Sequence, residues 1–126
     1  MPRVQDIWER DGERCVWCST ASWPRDRTLE HLLPRSRGGR SGEHNLLPAC
    51  RSCNKGRRSQ GAAAYARRQA EGGRTVDVDL LLTGLDRLAA HGRPAERDYG
   101  ARQASRVRAW VASERAIAEH LARFAA

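Results

Sequence analysis

Four cysteines fall in two CxxC pairs, Cys15-Val-Trp-Cys18 and Cys50-Arg-Ser-Cys53, with 31 residues between them. Two such knuckles offer four thiolates to one tetrahedral zinc, although ribbons of this kind usually separate them by ~15–20 residues. The competing readings are two disulfides or four buried thiols. The opening Met1-Pro2-Arg3-Val4-Gln5-Asp6 has no signal-peptide core, and no apolar run approaches the ~20 residues of a membrane span. A cytoplasmic location without membrane contact is therefore expected. Thiols stay reduced there, which favours zinc over disulfides. Whatever fills the long gap is inserted between the two halves of a zinc site.

At 126 residues the chain has the size of one ordinary domain. Val4, Ile7 and Trp8 share one side of a short helix that Asp11-Gly12 ends. Arg27 to Leu33 is strand-like and stops at Pro34. Residues 35–42 are a loop by composition, and Asn45 to Pro48 is a second short strand or turn. The second knuckle starts a basic helix. Past Gly61 the character changes: Ala62–Ala70 reads as a helix, as does Val78–Ala90 with Leu81, Leu82, Leu85 and Leu88 at helical spacing. From Ala95 onward Val107, Trp110, Val111, Ile117, Leu121 and Phe124 keep the period of a long amphipathic helix. The expected fold is α+β. A zinc-stapled module covers residues 1–60, and a helical extension over 61–126 packs on that module or on a second copy.

The insert carries Glu30-His31 at a strand end and Asn45 at the start of the next strand, and Asn54 follows on the next helix. This strand–loop–strand–helix order, with the stretches LEHLLPRSRGG, HNLLPAC and CNKGRR, resembles the HNH endonucleases and their ββα-metal motif. The resemblance runs from Cys15 to Arg58, about a third of the chain, and the zinc knuckles match as well. It implies a metal-dependent nuclease acting on DNA, double-stranded and with little sequence specificity. It also implies that the Asn45 amide holds the loop bearing His31 and so orients the imidazole.

The residues support that chemistry on their own terms. Phosphodiester hydrolysis needs an activated water and stabilised charge on the phosphoryl oxygens, and one histidine plus one divalent metal supply both. His31, whose unperturbed pKa lies near neutrality, is the candidate general base. Glu30 offers a hard oxygen to Mg2+ or Mn2+. Adjacent strand residues point to opposite faces, so Glu30 and His31 both reach one metal only if the strand bends before Pro34. Asn54, at i+4 from Cys50, supplies the second oxygen ligand. Two departures from the family pattern stand out: Glu30 is in a position often held by Asp, and Asn54 in one often held by His.

The net charge of +8 is unevenly spread. Between residues 35 and 58 the cations Arg35, Arg37, Arg40, Arg51, Lys55, Arg57 and Arg58 face Glu43 alone, a net of +6. Such a segment beside the candidate site reads as a phosphate-binding surface, with a salt slope on the order of −6 on duplex DNA. Its competing reading is a solvated loop and helix face. His44 is adjacent to Asn45, and His91 and His120 read as cap or surface residues. The expectation is an endonuclease that uses His31 and Asn45, with Glu30 and Asn54 holding Mg2+ or Mn2+ and Cys15, Cys18, Cys50 and Cys53 holding structural zinc. The alternative is a non-catalytic, zinc-stabilised DNA-binding module.

Overall fold

A computed structural model describes residues 2–125. Five helices and two strands follow in the order α1 (Val4–Arg10), β1 (Arg27–His31), β2 (Leu46–Cys50), α2 (Arg51–Arg57), α3 (Ala62–Glu71), α4 (Val78–His91) and α5 (Pro94–Ala122). The class is α+β, with most of the chain helical. No helix among the described residues is long and apolar enough to cross a membrane.

The two strands pair antiparallel, with Arg27 opposite Cys50, Glu30 opposite Leu47 and His31 opposite Leu46. Every residue of β2 is buried, because α1 and α4 pack against it as well as β1. Helix α1 docks by burying Ile7 and Trp8, and the Trp8 indole donates to the Thr28 carbonyl at 2.9 Å. At its start the Asp6 carboxylate accepts from the Arg3 amide at 3.2 Å, and packing of the two buried residues supplies most of the stability of so short a helix.

Residues beyond Gly61 join the same core. Leu81, Leu85 and Leu88 of α4, Tyr99, Ala104 and Val107 of α5 and Tyr65 of α3 are buried in one cluster with Trp8, Val16, Trp17 and Leu47. Each large aliphatic side chain hidden this way contributes about 1.5–3 kcal/mol. The expected boundary at residue 60 marks a change of secondary structure, and the apolar interior runs straight through it. Helices α4 and α5 form a hairpin across Gly92-Arg93 and approach closely at Gly100, where a Cβ would lie 2.8 Å from the Leu85 carbonyl. Asp77 caps α4 by accepting from the Leu80 amide, and its own amide donates to Val16 in the first knuckle.

Helix α5 is 29 residues long, about 43 Å at 1.5 Å per residue. It is packed only as far as Val111. From Ala112 on every described residue is exposed, Ile117, Leu121 and Phe124 among them. The expected apolar stripe therefore divides: Val107 is core, Trp110 and Val111 border it, and the rest faces solvent.

Candidate active site and metal centre

The turn after α1 and the junction of β2 with α2 bring the two knuckles together. One ligand atom from each of Cys15, Cys18, Cys50 and Cys53 lies within 4.8 Å of the others, and the Cys18 and Cys50 sulfurs are 3.9 Å apart. A tetrahedron with metal–sulfur bonds of about 2.3 Å has edges of about 3.8 Å, so the cluster fits one zinc-sized ion. No disulfide joins the four. The Trp17 amide and the Gln69 side chain each donate to a cysteine sulfur, Cys15 and Cys53 respectively, at 3.3 Å. A hydrogen bond from Cys53 draws the Cys15 thiol down to about 5, while the same bond and burial push Cys53 up. One thiol is already disposed to ionise, and a cation at the centre would draw off the other protons.

Strand β1 separates the two residues on which the chemistry was expected to converge. It stays regular through His31, so no bend turns Glu30 and His31 to one side. Glu30 points inward and is 3% exposed. One carboxylate oxygen accepts from Arg57 at 2.8 Å, the other from the Trp17 indole at 2.8 Å. Burial raises the Glu30 pKa, and the Arg57 charge opposes that shift.

Arg57 is the other half of this arrangement. It is fully buried and donates to Glu30, to the carbonyls of His31, Leu32 and Gln60, and to the Tyr99 hydroxyl. Its guanidinium fork is used up within the protein, so the expectation that Arg57 contacts DNA is corrected. The sequence held a signal for this: Arg57 is at i+4 from the buried Cys53, on the same face of α2.

The expected Mg2+ or Mn2+ pair does not fit either. Both Glu30 oxygens are committed to internal donors, and a hard cation would have to displace Arg57 to reach them. Asn54 is half-buried, and its amide donates to Thr28 Oγ1 at 2.9 Å and to the Leu29 carbonyl at 3.0 Å. Only its own oxygen is left to offer a cation. The pairing of Glu30 with Asn54 as metal ligands is therefore corrected: these side chains brace β1 against α2.

On the outer side, His31 is half-buried, and its Nε2 lies 3.0 Å from the Ser41 hydroxyl. Burial lowers its pKa first, and the nearby charges of Arg35 and Arg57 lower it further. The neutral imidazole, the form able to accept a proton, is thereby favoured. Asn45 is fully buried between the flanks of this loop. Its oxygen accepts from the Leu33 amide at 2.8 Å, and its nitrogen donates to the carbonyls of Leu33 and Arg40. The loop closes tightly around it, since a Cβ on Gly39 would sit 1.8 Å from the Leu33 carbonyl oxygen. Glycine is therefore required there by space.

Of the seven expected phosphate contacts, Arg35, Arg37, Arg40, Arg51, Lys55 and Arg58 are exposed. Arg35 and Arg40, with Gly38, Gly39 and Ser41, line a cavity of about 460 Å³ beside the His31 loop. Arg51 and Lys55 border a larger groove, about 790 Å³, at the cysteine cluster, which Arg74 also lines. His44 stands beside His91, with ring centroids 6.2 Å apart.

Helix α5 reaches the site at two points the sequence did not suggest. Glu96 accepts from the Arg40 amide at 3.0 Å, and the Tyr99 hydroxyl lies 2.9 Å from Arg57. The one available hint is that Glu96 stands at the third position of a helix opened by Pro94, where a carboxylate turns back to the chain; it accepts from the Arg93 amide.

Residues 15–74 match the sequence model of a family described as HNH endonuclease. The chain has no match among curated proteins or among solved structures. The matched stretch begins at the first knuckle, spans β1, the loop, β2 and α2, and ends beyond α3. That match lies on the strand–loop–strand–helix arrangement inside a four-cysteine cluster, so over residues 15–74 the chain is similar to the HNH endonucleases.

Proposed function

We propose that the protein is an endonuclease that hydrolyses phosphodiester bonds in double-stranded DNA with little sequence preference, and that His31 is its general base. The observation that carries this is a half-buried, neutral-leaning imidazole hydrogen-bonded to Ser41, which lines a cavity together with Arg35 and Arg40. In this reading His31 removes a proton from the attacking water. The two guanidinium groups hold the phosphate and offset charge that develops on its oxygens. Asn45 acts indirectly, by fixing the loop on which these groups stand. The four cysteines hold a structural zinc that fixes the start of α2 relative to β1.

The second reading is a DNA-binding module without catalysis. The internal commitment of Glu30 favours it, because that carboxylate is not available to a catalytic ion. One experiment separates the two. Supercoiled plasmid is incubated with wild type and with His31→Ala, with and without added Mg2+ or Mn2+. The nuclease reading expects His31→Ala to lose about 10²–10⁴ in rate while binding DNA as before. Equal cleavage by the two proteins would remove His31 from the mechanism. Tight binding with no cleavage by either, under every metal condition, would establish the binding module.

A further inference from the structure

We propose that Ser41 is a positioning residue that decides which nitrogen of His31 acts as the base. The word base rests on the nuclease reading above, but the tautomer assigned here is a property of the protein alone.

A neutral imidazole carries one N–H and one bare nitrogen. His31 Nε2 is 3.0 Å from Ser41 Oγ. If the hydroxyl accepts from Nε2–H, then Nδ1 is bare and can take a proton from water. If the hydroxyl donates to Nε2, then Nδ1 carries the proton and the ring has no free nitrogen for the reaction. The surroundings choose between these. Arg35 and Arg57, the cations that act on the ring, are donors only and cannot take a proton from Nε2. Glu96 is the anion that acts on it, and its two oxygens already accept from the amides of Arg40 and Arg93. Ser41 is the side-chain acceptor that the structure places within reach of Nε2–H.

The other end of the hydroxyl fits the same direction. Ser41 lines the cavity with Arg35 and Arg40. A phosphodiester held there offers only acceptors, so the hydroxyl proton turns to it in a charge-assisted bond, and the oxygen lone pairs face Nε2–H. A chain of this kind polarises itself, so an occupied cavity strengthens the Nδ1-bare tautomer. The backbone around Ser41 is held for the purpose. The Arg40 amide donates to Glu96, the Arg40 carbonyl accepts from Asn45 at 2.9 Å, and the Gly42 carbonyl accepts from the Asn45 amide at 3.0 Å. Helix α5, through Glu96, thereby belongs to the support of the base.

The test uses the full chain labelled with 15N-histidine, with the His31 signals assigned by their loss in His31→Ala. Two-bond proton–nitrogen spectra at neutral pH read the tautomer, with dimethyl phosphate, a diester that offers only acceptors, added as the probe of the cavity. Wild type is expected to show protonated Nε2 and bare Nδ1, more completely with the diester. Ser41→Ala is expected to show mixed tautomers, and Ser41→Thr, which keeps the hydroxyl, to restore the single form. In plasmid cleavage Ser41→Ala should lose about tenfold in kcat with KM within about twofold, and Ser41→Thr should recover most of it. Protonated Nδ1 in wild type overturns the proposal. So does an unchanged tautomer in Ser41→Ala, whatever its rate. A wild type that cleaves no nucleic acid sinks the nuclease reading, and the spectra still decide the tautomer.

Discussion

Glu30 and His31 are neighbours in the chain and occupy opposite environments. The inner side of β1 holds a carboxylate whose every oxygen has a donor, facing a guanidinium that is fully buried. The outer side holds an imidazole with one side-chain partner, half-exposed, next to a cationic cavity. The first arrangement is saturated and can only hold the protein together. The second has bonding capacity left over, which is what a group that must exchange protons with a ligand requires. One strand supplies both because its side chains alternate, and the difference separates what the site is built on from what it reacts with.

Cutting the inner side tests this division most severely. Glu30→Ala leaves the Arg57 charge buried without its partner, and breaking such a pair costs about 3–5 kcal/mol. That is a large fraction of a small domain's stability, and chemical denaturation should read the loss directly. Activity measured on the fraction still folded should stay within a few-fold of wild type. The division breaks if Glu30→Ala is nearly as stable as wild type but inactive, since that is the behaviour of a carboxylate that serves the reaction. Glu30→Gln sharpens the outcome. It keeps an acceptor for Trp17 while removing the charge, and it should be intermediate in stability.

The outer side should respond to salt and hardly at all in stability. Arg35 and Arg40 are exposed and line the cavity, whereas Arg57 is spent internally. Each cation that meets a phosphate contributes about 0.9 to the slope of log affinity against log salt. The double change Arg35→Ala, Arg40→Ala should therefore flatten the slope for duplex DNA by about 2, with denaturation midpoints nearly unmoved. An unchanged slope would mean that the phosphates lie elsewhere, with the groove near Arg51 and Lys55 as the next place to look.

This division also explains what was legible in the sequence. The knuckles, the order of elements and the leucine period of α4 are short-range patterns, and all of them appear in the structure. The role of Glu30 was not legible, because a Glu-His pair reads the same whether its carboxylate meets a metal or an arginine 27 positions away. One short-range clue did point inward: the i+4 spacing of Cys53 and Arg57. The link from Tyr99 to Arg57 spans 42 positions and leaves no trace in local periodicity. Nor did any pattern announce Ser41, since a serine in a glycine-rich loop is ordinary turn chemistry until a histidine is seen beside it.

Helix α5 repeats the contrast along its own axis, and it gives the smallest expected effect. Its first half carries Glu96, Tyr99, Gln103 and Val107 into the interior, and Gln103 accepts from the Ala63 amide at 2.9 Å. From Ala112 on it carries only exposed residues. A stop after Val111 removes Ile117, Leu121 and Phe124 and cuts no contact of the core, so stability should change by no more than about 0.5 kcal/mol. Cleavage should be unchanged, because the hydrogen bonds that Glu96 and Tyr99 accept remain. Sedimentation of both forms gives the comparison a second axis. If the full chain is a dimer and the shortened one a monomer of clearly lower stability, then the apolar stripe is buried against a second copy. In that case the distal half of α5 belongs with the saturated side of the molecule.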